Sequence, residues 1–396
     1  MSSDSAPQIL TPQRQRLAIL LMIIAGLACG AIGIFALIRV FPQLEPGGQR
    51  FVFTEYDGDT FRHQPGMVRP PAENRILEDR IHFDDADGFR RPVWVADDYP
   101  IIAVGDSFTD GGQVAWTDTL ATLLNSPVRN MGWSGYGPLE YAEIVKQYAD
   151  SDHEWILVMF FEGNDLSNVK TSYQQAQQNG GVVEISLERV TAPPVQDIRQ
   201  LSDYSGEIQL NADDNYLYPL HHTRPDGSTF DMAYISDYLW WLNGDADTYR
   251  QSQNIAVLES ALKDIRAAAG DACVALVYAP AKEHVYFQYA EPQGNRIYVL
   301  QNSLELLLDA DGWLGFTGLQ PVEYETLTAR IDNMRDVVRE TSEQAGLQFI
   351  DLLPAFQQAS QSGELAYYPY DSHWSQRGTR TAAEAIASYI NAYPCS

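Results

Sequence analysis

Short runs of consecutive apolar residues alternate along this chain with segments in which apolar residues recur every three or four positions. The first kind includes "YPIIAVGDS", with Pro100 at its start and Gly105 at its end, then "HEWILVMFFEGND" and "ACVALVYAP". Each is short and apolar, with turn residues at its ends, and reads as a buried strand. "VRNMGWSGYGP" reads as a short strand running into a glycine-rich loop, and "LQFIDLLPAF" as the last strand. "RIHFDDADGFRRP" reads as a short strand and a turn at Asp87-Gly88. The second kind predicts helices. "WTDTLATLLN" places Leu120, Leu123 and Leu124 on one face, and "PLEYAEIVKQYAD" follows the same period. "NIAVLESALKDIRAAAG" and "VEYETLTARIDNMRDVVRETSEQAG" each read as one helix stopped by glycine, and "SQRGTRTAAEAIASYINAY" as the closing helix. The alternation predicts an α/β fold: a mainly parallel sheet covered by helices. In such sheets the ligand site lies at the C-terminal ends of the strands.

Two stretches depart from the rhythm. Leu17 to Ile38 carries no charge and is long enough for a bilayer, where a helix of about 20 apolar residues suffices. It continues well past Cys29, so it reads as an uncleaved anchor rather than a signal peptide or lipoprotein site. Arg14 and Arg16 precede it, and the expected orientation leaves the short tail inside and the main domain outside. The expected plan is a tail at 1–16, a transmembrane anchor at 17–39, a linker and lead-in at 40–84, and one domain at 85–396. Within that domain, residues 168–250 are polar and then aromatic, ending in "DYLWWLNGDADTYR". They read as an insertion at the sheet edge, either a wall of the site or a peripheral packing element.

Charge narrows the partners. Of 396 residues, 45% are hydrophobic and 20% charged, and the formal net charge is -27. The acid is scattered rather than gathered in a tail. A polyanion would be repelled, so no nucleic acid is expected. Cys29 lies in the apolar run. Cys273 and Cys395 remain, free or bridged in an oxidising compartment.

Four polar tips follow the alternating elements. They are "GDSFT" with Ser107, "NMGWSGYG" with Gly135, "EGND" with Asn164, and "YDSHW" with Asp371 and His373. Each alone is weak, because turn residues are common. Together they form a chemical set. A serine hydroxyl needs a base within hydrogen-bond reach, and imidazole has the right proton affinity near neutrality. A carboxylate two positions before the histidine can fold back and hold one tautomer. Attack on an acyl carbonyl makes an oxyanion. The N–H of Ser107, the N–H of Gly135 and the Asn164 amide are candidate donors for it.

These four blocks resemble those of the SGNH, or GDSL-type, hydrolase superfamily. The similarity covers roughly residues 85–392 without the insertion. It implies a flavodoxin-like three-layer α/β/α sandwich that cleaves or transfers acyl groups through an acyl-serine. By position, Ser107 would be nucleophile and oxyanion donor, Gly135 and Asn164 would complete that hole, His373 would be the base and Asp371 its partner. Gly135 is preferred to Gly132 and Gly137 because it stands five residues after Asn130. Many members place the acid three residues before the histidine, where this chain has Tyr370. The Asp-x-His-Trp form resembles the subgroup that O-acetylates exopolysaccharides such as alginate, which leaves esterase and transferase both open. "GDSFT" lacks the second glycine of a G-x-S-x-G elbow, against the α/β-hydrolase fold.

The expected substrate is an O-acylated glycan or small ester. The rival is a non-catalytic glycan-binding or scaffold protein of a polysaccharide system. "APAKEHVY" should border the same mouth, with Lys282 and His284 either touching substrate or, preferred, in a solvated loop. Trp374 either lines the pocket or packs, and Trp133 and Tyr136 are candidates to stack on a sugar ring. "DADG" at Asp85 to Gly88 and at Asp309 to Gly312 lacks the downstream glutamate of a calcium loop and reads as turns. His221-His222 has no companion ligands at metal spacing. No metal and no cofactor is expected.

Overall fold

The computed structural model describes residues 85–111, 115–149, 153–185, 216–289, 304–319, 324–361, 363–368 and 372–395. The predicted anchor at 17–38, the linker at 40–84 and Asp371 lie outside the described residues. Among the described residues no helix is long and apolar enough to cross a membrane.

The chain first builds β1 (Ile101–Gly105), the one-turn helix α1 (Ser107–Asp110) and α2 (Trp116–Leu124). Then come β2 (Val128–Gly132), α3 (Pro138–Tyr148), β3 (Trp155–Phe161) and α4 (Asp165–Gln178). An antiparallel hairpin, β4 (Tyr216–Thr223) and β5 (Thr229–Ile235), leads into α5 (Ser236–Trp241) and α6 (Ala246–Arg250). The main rhythm resumes with α7 (Gln253–Ala268), β6 (Cys273–Ala279) and α8 (Lys282–Tyr286). A second antiparallel pair, β7 (Leu304–Leu308) and β8 (Leu314–Leu319), precedes α9 (Tyr324–Arg330) and α10 (Asn333–Gln344). The chain closes with β9 (Gln348–Asp351), α11 (Leu353–Ser360) and α12 (Gln376–Ala392).

Five strands form the central sheet in the order β2-β1-β3-β6-β9, every pairing parallel. β1 and β3 are buried along their whole length, which is why they read as unbroken apolar runs. One helix layer is α3, α4, α7 and α10; the other is α2, α8, α11 and α12. The result is a three-layer α/β architecture. Strand order reverses between β1 and β3, which opens a crevice beyond their C-terminal ends.

Two expectations are corrected. The segment read as one helix over "VEYETLTARIDNMRDVVRETSEQAG" is two, α9 and α10, broken at Ile331-Asp332. Asp332 there uses its carboxylate on His284 and Arg335. Leu123 does not share the buried face of α2. Trp116, Thr117, Leu120 and Ala121 set that face, and Leu123 falls at its margin, 47% exposed. Both "DADG" stretches are turns whose first aspartate accepts two backbone N–H bonds: Asp85 from Asp87 and Phe89, Asp309 from Asp311 and Trp313. His222 is buried, stacked on Phe230 and bonded to the Tyr234 hydroxyl.

Cys273, at the start of β6, is bonded to Cys395, just past α12, with Cα atoms 5.8 Å apart. The bond closes a loop with a sequence separation of 122 residues. A cross-link of that span is worth about 2–4 kcal/mol. Cys395→Ser, or reduction of the wild type, is expected to lower the unfolding free energy by about that amount and the urea midpoint with it. An unchanged midpoint in urea with and without reductant would count against the bond.

Candidate active site

Ser107 opens α1 at the C-terminal end of β1. The turn that presents it is held from several sides. Asp106 caps the helix: its Oδ1 accepts from the Phe108 N–H at 2.9 Å. The N–H groups of Thr109 and Asp110 bond the Asp106 carbonyl. Asn130 on β2 is fully buried and donates from Nδ2 to the Thr109 carbonyl at 2.6 Å, while its Oδ1 accepts from the Gly132 N–H at 3.0 Å. Arg90 donates to the carbonyls of Asp110 and Gly111. Ser134, in the glycine loop, donates to the Asp110 carboxylate at 3.0 Å and so ties that loop to the serine turn.

His373 arrives from the other end of the chain. Tyr367 bridges Trp374, the Tyr368 N–H bonds the His373 carbonyl, and the Ser375 N–H bonds Ala366. Ser375 then caps α12, accepting from the N–H groups of Arg377 and Gly378. This places His373 Nε2 2.8 Å from Ser107 Oγ. The Phe108 ring stacks on the imidazole with centroids 5.0 Å apart, on Phe161 at 4.0 Å, and meets Trp374 edge-on. Trp374 is buried against Phe356, so it packs rather than lines an opening. Asp371, the predicted partner of the imidazole, lies outside the described residues.

Asn164 follows β3 across the switch-point crevice. It occupies the cap position of α4 but makes no side-chain capping bond, so its amide is not spent there. The three glycines of the loop after β2 differ in what they need. A Cβ on Gly132 would sit 2.3 Å from the Asp110 nitrogen, and one on Gly137 would sit 2.8 Å from Asn168 Cβ. Gly135 has open space around it and a φ of +87°, the left-handed region that favours glycine. Trp133 and Tyr136 flank it with ring centroids 5.9 Å apart.

Two buried carboxyls flank the site from within. Asp106 precedes Ser107 and Asp165 follows Asn164; both are fully buried. Burial raises Asp106 to about 6, against the opposing pull of the Phe108 N–H and of His373. Burial, and then the charge of Asp106, push Asp165 well above the ordinary carboxylate range. Neither effect was legible in the sequence, where both residues look like turn formers.

The expectation of a solvated loop at Lys282 and His284 is corrected. Residues 282–286 form α8, and Lys282, Glu283 and His284 are buried. Glu162, just before Gly163 and Asn164, holds the start of this helix and His284. It accepts from His284 Nδ1 at 2.7 Å and from the Ala281 N–H at 2.8 Å. His284 Nε2 lies 3.2 Å from Asp332 Oδ1. With a carboxylate at each ring nitrogen, the imidazole is cationic. Burial works against that charge, but Glu162 and Asp332 outweigh it and hold His284 at about 9. The folded value exceeds the unfolded one of about 6.5. The stabilisation is therefore complete below about pH 6.5, falls as pH rises, and is gone above about 9. It amounts to about 3 kcal/mol. Urea midpoints across this window are expected to fall in the wild type and to lose that pH dependence in His284→Gln.

The fold and these distances define a class: a doubly wound α/β protein whose switch-point crevice holds a serine hydroxyl against an imidazole. Residues 322–395 match the family described as ALGX, the SGNH hydrolase-like domain of acetyltransferase AlgX. The serine, glycine and asparagine blocks lie in order upstream of this match, and together they support a place for the chain in the SGNH hydrolase superfamily. No curated protein matches the sequence. Solved structures similar to it include an extracellular lipase from Streptomyces rimosus, with 13% identity, a TM-score of 0.40, and coverage of 74% of this chain and 99% of that one. A phospholipase A1 from Streptomyces albidoflavus has 12% identity, a TM-score of 0.38, and coverage of 73% and 97%. An acetyl-xylooligosaccharide esterase variant from Geobacillus stearothermophilus has 14% identity, a TM-score of 0.33, and coverage of 73% and 93%.

Proposed function

We propose that the protein is a serine acyl esterase or O-acyltransferase acting on O-acylated glycans or small esters. The observation that carries this is the 2.8 Å separation of Ser107 Oγ and His373 Nε2 at the switch point. Ser107 attacks the acyl carbonyl while its proton passes to His373 Nε2. The oxyanion is met by the N–H groups of Ser107 and Gly135 and by the Asn164 amide. As the intermediate collapses, His373 returns the proton to the departing alkoxide and an acyl-Ser107 ester remains. Water, or a sugar hydroxyl, then gives its proton to His373 and attacks the ester, and His373 returns that proton to Ser107 Oγ as the acyl group leaves. Asp371 holds the imidazole in its working tautomer.

The match at 322–395 is to an acetyltransferase domain and contains Asp371 and His373, which favours an acetylated glycan as donor or acceptor. Residues 17–38 anchor the protein in a membrane, with the domain on the extracytoplasmic side. The Cys273–Cys395 bond supports an oxidising compartment. A fluorophosphonate probe tests the nucleophile: the folded wild type is expected to label once, at Ser107. A folded wild type that resists labelling would favour the non-catalytic glycan binder. Product masses from an acetyl ester, with and without oligosaccharide, distinguish transfer to water from transfer to sugar.

A further inference from the structure

Glu162 stands two residues before Asn164, and its carboxylate is buried. Both oxygens are held. Oε1 accepts from His284 Nδ1 at 2.7 Å and from the Tyr278 hydroxyl, and Oε2 accepts from the Ala281 N–H at 2.8 Å. The Glu162 N–H donates to the Ala279 carbonyl at 3.0 Å. The residue is thereby pinned to the end of β6 and the start of α8. The line continues behind it: His284 Nε2 lies 3.2 Å from Asp332 Oδ1, which lies 2.9 Å from Arg335 Nη1 at the start of α10. Gly163, between Glu162 and Asn164, fits closely: a Cβ there would lie 2.4 Å from the Phe161 ring and 2.9 Å from the Tyr238 ring. The Asn164 carbonyl accepts from the Asn168 N–H at 2.8 Å, but its side chain makes no capping bond and its Oδ1 is buried without a hydrogen-bond partner. The direction of the amide is therefore set by the backbone that carries it. That backbone is held at both ends, by Asp165 accepting from the Phe161 N–H at 2.9 Å and by Glu162. An oxyanion donor counts only at about 2.7–3.1 Å from the oxyanion, and a misplacement of about 1 Å can cost about a hundredfold in rate.

We propose that Glu162, His284 and Asp332 form a positioning line that ends on Asn164: the Glu162 carboxylate, gripped by the imidazole and by the Ala281 N–H, fixes the Gly163–Asn164 turn and so aims the Asn164 amide at the oxyanion. The inference deepens the reading of Asn164 as an oxyanion donor and rests on it. All three are positioning residues, because they act through Asn164. Removing the imidazole leaves the Glu162 carboxylate buried without its counter-charge, a cost that the turn relieves by moving.

The test uses the full chain as wild type, His284→Gln, Asp332→Asn, Asn164→Ala, and Asn164→Ala combined with each of the other two. Rates on an acetyl ester are taken where each variant is fully folded. His284→Gln is expected to lower kcat and kcat/KM together by about tenfold, with KM unchanged, because the oxyanion contact exists only in the transition state. Asp332→Asn is expected to do the same by about threefold. Asn164→Ala alone should cost about a hundredfold, and in that background His284→Gln should cost less than about twofold more. The same cost in both backgrounds would mean general support of the fold and overturns the proposal. Hydrogen exchange read by mass spectrometry supplies an arm that needs no activity. Residues 161–168 are expected to exchange about fivefold faster in His284→Gln, with the serine turn at 107–111 unchanged. Unaltered exchange over 161–168 in both His284→Gln and Asp332→Asn also overturns the proposal. Should His284→Gln not fold, Asp332→Asn, whose carboxylate is half-exposed, carries both arms. Full activity in Asn164→Ala would end the oxyanion reading of Asn164 whatever the exchange shows. Lost activity there with unaltered exchange would end the positioning line and leave that reading standing.

Discussion

Ser107→Ala is expected to lower kcat/KM on an acetyl ester by roughly four to six orders of magnitude, and His373→Ala by a similar factor. The double variant should be no slower than the worse of the two. Nucleophile and base act as one unit: an imidazole with no hydroxyl to deprotonate does nothing, and neither does a hydroxyl with no base. Neither change should alter stability much, because both side chains are only half-buried and their mutual bond at 2.8 Å is reached from a rigid frame. The measurements are initial rates with each purified variant and its thermal midpoint. Fold-losses that multiply in the double variant would show two independent contributions and break the pairing.

Phe108→Ala should be the most damaging change that leaves every polar group of the site in place. The ring is 4% exposed and lies among Phe161, His373 and Trp374. Removing it leaves a cavity and costs about 3–5 kcal/mol. It also takes away the face on which the imidazole rests, so activity should fall even at temperatures where the variant is fully folded. Phe108→Leu refills much of the volume without a flat face. It should recover most of the stability and less of the activity. Equal recovery of both would show that the ring fills space and does not align His373.

The sheet was legible in the sequence because β1, β3 and β6 are buried on both faces and so read as unbroken apolar runs. The meeting of Ser107 with His373 was legible because their short blocks sit at a strand end and just before a capped helix. What was not legible depends on partners distant in sequence. His284 reads as solvated until Glu162 and Asp332 are seen on either side of it. The break between α9 and α10 is hidden for the same reason, since helical periodicity runs through it and the use of Asp332 does not show. Asn130 served only to count to Gly135, yet its side chain clamps the serine turn to β2. The hairpin β4–β5 lacks clean alternation, and a long polar stretch hid where it begins.

The bond between Cys273 and Cys395 has a consequence for how the protein would respond to proteolysis. A single cut anywhere in the 122-residue span it closes would yield two fragments that stay covalently joined. His373 lies inside that span and Ser107 outside it, so a nicked molecule would keep both halves of its chemistry on one particle until a reductant arrived.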